Sequence, residues 1–156
     1  MSTLLLILPP TLPGPHTSFG YLVSPDGHQI ERQGNAAPAL LPTPGRAGET
    51  VAVVPVQALS WQRVTLPQNL PLGNTPRLRA VLEGLLEDRL LDDPAQLHFA
   101  LQPGARAGEA AWVAVCDRAW LQQHLQLLEA AGRPVARVVP EFAPLADSTT
   151  YCALGT

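Results

Sequence analysis

Four histidines, two cysteines and thirteen acidic residues are the side chains of this 156-residue sequence that could do acid-base, nucleophilic or metal chemistry. Their spacing argues against all three. His16, His28, His98 and His124 stand at no metal-ligand interval, and neither HxxxH nor HExxH occurs. Each reads as structural: His28 in a hairpin, His98 within a strand, His124 on a helix face. Asp92 and Asp93 offer two carboxylates, but adjacent residues point in different directions, and a helix end just before Pro94 explains them more simply. Cys116 precedes a helix cap, where a thiol ionises more easily, yet a lone Cys ending an apolar strand is usually a small hydrophobe. Cys152 is the other cysteine and no CxxC is present, so neither a disulfide framework nor a zinc site is supported, and a reducing compartment fits. Neither GxxxxGKS/T nor GxGxxG is found, which leaves a P-loop or Rossmann site without residues to build it. The sequence predicts no catalytic residue, no cofactor and no metal.

Charge narrows the partners. Ten basic residues, all Arg, face thirteen acidic ones for a net charge of -3, whereas a nucleic-acid binder normally needs a basic stripe to displace counterions. There is no polybasic membrane patch. The apolar run Leu4 to Leu8 stops at Pro9 and Pro10, too short for a signal segment or a span, so the chain is expected to be cytosolic and without an anchor of its own. Glu83, Glu87 and Asp88 form an acidic helix face that is ordinarily just solvated, but charge of this kind steers protein association. Trp61, Trp112 and Trp120 each lie within a regular apolar pattern and read as core or core edge, not as a stacking platform.

The elements that must position these residues follow from periodicity. Strands are expected at Thr3 to Leu8, Gly20 to Ser24 and Gln29 to Arg32, the last two joined through Asp26-Gly27, whose residues tolerate positive φ. A Pro/Gly-rich loop over 34–48 leads to a buried strand from Thr50 to Pro55, then one helical turn near Gln57 to Leu59. Trp61 to Leu66 alternates as a strand with two unlike faces. Thr75 and Pro76 read as N-cap and N1 of a helix reaching about Leu91, with the apolar stripe Leu78, Val81, Leu82, Leu85 and Leu86, and Arg79 four residues from Glu83. Strands at Leu97 to Leu101 and Ala111 to Cys116 precede a second helix, capped by Asp117 and closed by Gly132 and Pro134, and a strand from Ala136 to Val139 follows. Residues 60–139 therefore run β-α-β-β-α-β, the order of a split βαβ module.

Over more than half the chain these segments resemble the N-terminal cytoplasmic part of the type II secretion protein L family. Ser60 to Pro67 is similar to its "SW.RVTLP" strand, Arg77 to Asp93 to its "RLRAALP.LLEE.L..D" helix and Leu97 to Ala100 to its "LHFA" strand. Val113 to Trp120, Leu127 to Gly132 and Val139 to Glu141 are similar to the junction, helix end and "VP" exit that follow. The resemblance implies an α/β, actin-like (RNase H-related) fold, β-rich over 1–59, with the split βαβ segment as a subdomain over 60–140 and a return segment starting over 141–156. It implies that the natural protein continues through the rest of the actin-like domain, one transmembrane helix and a periplasmic domain that pairs with protein M, on the cytoplasmic side of the bacterial inner membrane. It further implies a docking domain, not an enzyme, that recruits the secretion ATPase, protein E, and permits a homodimer. Arg79, Glu83 and Glu87 are the expected contact residues.

Actin-like ATPases carry an Asp and a Gly-rich phosphate turn after their first strand. Here that strand runs into Pro9 and Pro10, without the Asp and without the amides an anion needs. The rival readings are a degenerate actin-like nucleotide enzyme and an equivalent domain of a pilus-assembly platform.

Overall fold

The computed structural model describes residues 2–45, 48–142 and 144. Thr3–Ile7 (β1) is a strand because its side chains alternate: Leu4 and Leu6 are fully buried while Leu5 and Ile7 are half-buried. It lies at the centre of a five-stranded mixed sheet in the order β3-β2-β1-β4-β8. Phe19–Ser24 (β2) pairs antiparallel with β1 and with Arg32–Ala36 (β3), whereas Glu49–Val54 (β4) runs parallel to both β1 and Arg137–Pro140 (β8). Thr50 to Val54 are all buried, as expected of a parallel strand with neighbours on both sides.

A second, three-stranded antiparallel sheet has the order β5-β7-β6, formed by Ser60–Thr65 (β5), Leu97–Leu101 (β6) and Ala110–Asp117 (β7). Helix Thr75–Leu86 (α1) covers one side of it. Val64, Leu66, Leu82, Leu86, Val113 and Val115 make the core between them. The chain divides accordingly into two compact units, Leu59–Ala119 and, over their described residues, Met1–Ala58 with Trp120–Thr156. Helix Arg118–Ala130 (α2) buries Trp120, Leu121, His124 and Leu128 in the latter.

Several expectations change. The β2–β3 hairpin turns at Asp26-Gly27, but β3 starts at Arg32 instead of Gln29, and Ser24 is the last residue of β2. Asp26 explains the shift: one of its carboxylate oxygens accepts both the His28 and Gln29 amides, while the Ser24 hydroxyl takes the amide of Gly27, whose φ is 81°. Those side-chain bonds satisfy the backbone locally and delay the strand. Helix α1 is capped by Asn74, not Thr75, with its side-chain oxygen accepting the Arg77 amide at 3.2 Å. It stops at Leu86, not Leu91, because the Arg89 amide tightens onto the Leu86 carbonyl and the Arg89 side chain donates to the Arg63 carbonyl. Leu91 beyond the helix end is exposed, and so is Leu85, expected in the apolar stripe, because Leu82 and Leu86 carry the buried side of α1. Asp117 is the end of β7, and α2 begins directly after it.

The order β5-α1-β6-β7-α2-β8 occurs as expected, but it does not close one sheet as a split βαβ module would. The final strand β8 pairs with β4, because Ala136 donates to Thr50 O and β8 then continues that register over Val51 to Val54. At the end of α2, Gly132 with φ of 77° donates to Glu129 O and Arg133 donates to Leu128 O, a left-handed cap that turns the chain toward this first sheet. The return segment expected over 141–156 lies outside the described residues except for 141, 142 and 144. No helix among the described residues is long and apolar enough to cross a membrane.

Candidate functional site

Two places bear on the expectations from sequence: the end of the first sheet, after the strand that runs into Pro9 and Pro10, and the solvent side of α1. A cleft of about 210 Å³ opens at the C-terminal ends of the parallel strands β1 and β4, between Pro9, Pro10, Ser18, Asn35, Gln57 and Glu141. Among the described residues no basic side chain lines it. Pro9 and Pro10 supply no amide hydrogen at the place where an anion would need one. The Glu141 carboxylate instead accepts the Val56 amide at 3.0 Å and would repel a phosphate. The donor set of the described residues does not fit a nucleotide.

The chain after β1 is held by α2. Trp120 Nε1 donates to the carbonyls of Pro9 and Thr11 at 3.0 and 3.1 Å, and His124 Nε2 lies 2.8 Å from the Thr11 carbonyl. A carbonyl only accepts, so Nε2 carries the proton. His124 is fully buried, with Phe19 and Trp120 edge-on at 5.6 and 5.4 Å, and its Nδ1 has no hydrogen-bond partner among the described residues. Burial depresses its pKa, against the opposing pull of the Thr11 bond, and keeps the ring neutral. This clamp joins residues more than a hundred positions apart, and it was not visible beyond the apolar spacing of Trp120 and His124 on one helix face. The same distance concealed Arg133, which donates to the Leu41 carbonyl at 2.6 Å, and the Arg137–Glu49 ion pair at 2.7 Å.

The other chemical candidates remain apart. No group of three His, Cys, Asp or Glu residues among those described could hold a metal. His98 lies on β6, where partial desolvation and then the charges of Arg79 and Arg118 lower its pKa. Cys116 is buried, and desolvation with the neighbouring Asp117 charge pushes its thiol up to about 11, opposite to an activated nucleophile. Asp93 caps the short turn at Pro94–Gln96 by accepting the Ala95 amide at 3.0 Å.

On α1, Arg79 is largely occupied. Its guanidinium donates to the carbonyls of Pro94 and Leu97, both at 2.9 Å, pairs with Glu83 at 2.9 Å and sits 5.0 Å from the centre of the Phe99 ring. It fastens α1 to the start of β6. Glu83 is half-exposed beside it, and Glu87 is exposed at the helix end. The arrangement can present carboxylates to a partner, with Arg79 fixing their support.

Comparison with known proteins gives one consistent picture. Residues 16–155 match the family described as type II secretion system (T2SS), protein L. The type II secretion system protein L of Vibrio cholerae serotype O1 is 38% identical over 72 residues, which are 46% of this chain and 17% of that protein. The solved cytoplasmic domain of EpsL, an inner membrane component of the type II secretion system of Vibrio cholerae, superposes with a TM-score of 0.66 at 25% identity, over 90% of this chain and 58% of that one. A type IV pilus biogenesis complex of PilM and PilN is similar in fold alone, with a TM-score of 0.53 at 15% identity over 89% of this chain and 47% of the other. The chain thus spans less than two thirds of each of these relatives.

Proposed function

The chain belongs to the type II secretion system protein L family, and we propose that it is the docking part of the inner-membrane platform that recruits the secretion ATPase, protein E, and couples it to protein export. The observation that carries this reading is the similarity to the cytoplasmic domain of EpsL over 90% of the chain. In this reading the chain lies on the cytoplasmic side of the inner membrane, contact with protein M belongs to parts of the full-length protein outside these 156 residues, and the mixed five-stranded sheet is the first part of an actin-like, RNase H-related domain. The mechanism is docking and relayed movement, not chemistry. The proline-walled cleft, with a carboxylate and no cation among the described residues, supports a scaffold over a nucleotide enzyme. Glu83 and Glu87 are the proposed contacts to the ATPase on α1, with Arg79 as their support.

Calorimetric titration of the chain with the N-terminal domain of the cognate secretion ATPase, alongside a Mg-ATP control, tests the reading. Binding at about micromolar strength, roughly -8 kcal/mol, is expected for the ATPase domain and no heat for the nucleotide. Saturable nucleotide binding would count against the scaffold assignment, and silence toward the ATPase domain against docking by this part of the protein.

A further inference from the structure

The cleft at the end of the five-stranded sheet is built by residues of one unit, and its backbone is poor in donors. Pro9, Pro10 and Pro55 in its wall have no amide hydrogen. The amides of Leu8 and Val56 are already given, to the Val53 carbonyl and to the Glu141 carboxylate, both at 3.0 Å. Acceptors are what the cleft offers. Glu141 is held at both ends: its amide donates to the Val54 carbonyl at 2.9 Å, and one carboxylate oxygen takes the Val56 amide. The other carboxylate oxygen has no hydrogen-bond partner among the described residues. This acid is therefore a fixed charge in the lining and not a swinging surface side chain.

The rest of the lining suits a positive head on an apolar stem. Gly20 lies in β2, and a Cβ added there would stand 3.4 Å from Asn35 Oδ1 and 3.5 Å from Ile7 Cδ1. Its missing side chain leaves the floor open between an amide oxygen and an aliphatic wall. Gln57 adds a second side-chain amide, and Ile7, Leu8 and the prolines supply carbon against which methylenes can lie. At about 210 Å³ the cleft is smaller than the roughly 300–1,000 Å³ usual for drug-sized ligands, so it has room for one group the size of a side chain. Its single carboxylate can neutralise a single charge. A guanidinium fits this set better than an ammonium. Its planar fork of donors can reach a carboxylate and a side-chain amide together, and its weaker hydration costs less on entering a proline-walled space.

We propose that this cleft binds an alkyl guanidinium, with Glu141 as its counter-charge and Asn35 and Gln57 as neutral acceptors. The group can come from an arginine side chain of another protein or from a small free guanidine, and both present the same head to the cleft. The features that exclude an anion here, prolines without amide hydrogens and a fixed acid, are the ones that admit a cation. The site uses none of the α1 residues assigned above to the ATPase and does not rest on that reading.

Backbone amide chemical shifts of the 156-residue chain, followed during titration with N-acetyl-arginine amide, agmatine and N-acetyl-lysine amide, test this. Shifts centred on Gly20, Asn35, Val56 and Glu141 are expected, saturating at about millimolar concentration for a guanidine and higher for the lysine compound. Tighter binding of the acetylated arginine assigns the site to a protein side chain, and tighter binding of agmatine to a free guanidine. Glu141→Gln retains an oxygen for the Val56 amide while removing the charge, and should weaken binding about tenfold. Gly20→Ala keeps the charge and narrows the floor, its methyl at ordinary contact distance, and should weaken binding as well. Undisturbed amide shifts away from the cleft confirm that each variant is folded. The proposal is overturned if no saturable shift occurs at these amides, if the lysine compound binds as tightly as the guanidines, or if both variants bind like the wild type.

Discussion

The two units use their polar side chains differently. In the unit built on the five-stranded sheet, Trp120 and His124 reach across more than a hundred residues of chain to seize backbone carbonyls of Pro9 and Thr11, and they do so in its interior. In the unit built on three strands, the interior is apolar, and the polar anchors Arg79 and Arg89 work at its surface. Buried polar groups are costly unless satisfied, so the first arrangement is sensitive to any loss. The second keeps its polar anchors at the rim of an apolar core, where water softens the cost of losing one. The segment after β1 is thus tied down as structure in the first unit, while Arg79 and Arg89 brace the helix end of the other.

The largest expected effect breaks the contrast at its strongest point. Trp120→Ala removes a buried ring and strips two carbonyls of their donor, and urea unfolding should register a loss of about 3–5 kcal/mol. A loss below about 1 kcal/mol would show that the clamp does not hold the β1 exit. Acidification probes the same clamp more gently. The folded-state pKa of His124 lies below its unfolded value, so stability is full above the unfolded value near 6.5 and declines as pH falls toward the folded one. Stability should therefore rise with pH through that window, and the rise should diminish in His124→Gln, whose amide can still donate to Thr11. His98 contributes a slope of the same sign, and His98→Gln separates the two. The smallest effect lies in the other unit. Asn74→Ala should cost about 1 kcal/mol by removing the α1 cap, measurable as a shift of the urea midpoint with unchanged m-value.

Local chemistry by itself determined most of the elements of this protein. The alternation of Leu4 and Leu6, the β-branched run from Thr50, the apolar spacing of Leu82 with Leu86 and of Trp120 with His124, and the Gly132 stop all act within a few residues, where backbone geometry and burial decide. The same local rules misjudged ends wherever a side chain intervened, as Asp26 did before β3, Asn74 before α1 and Arg89 after it. Only the tertiary structure decided which sheet receives a strand. The β-α-β-β-α-β order is readable from the chain, but β8 is paired by hydrogen bonds to β4, some eighty residues upstream, and periodicity carries no information about a partner at that distance. For the same reason the sequence could supply Arg63 and Trp112 as residue types without showing their placement. Strand register put Arg63 over the Trp112 ring, and the Asn74 cap with the Arg89 anchor fixed the extent of α1.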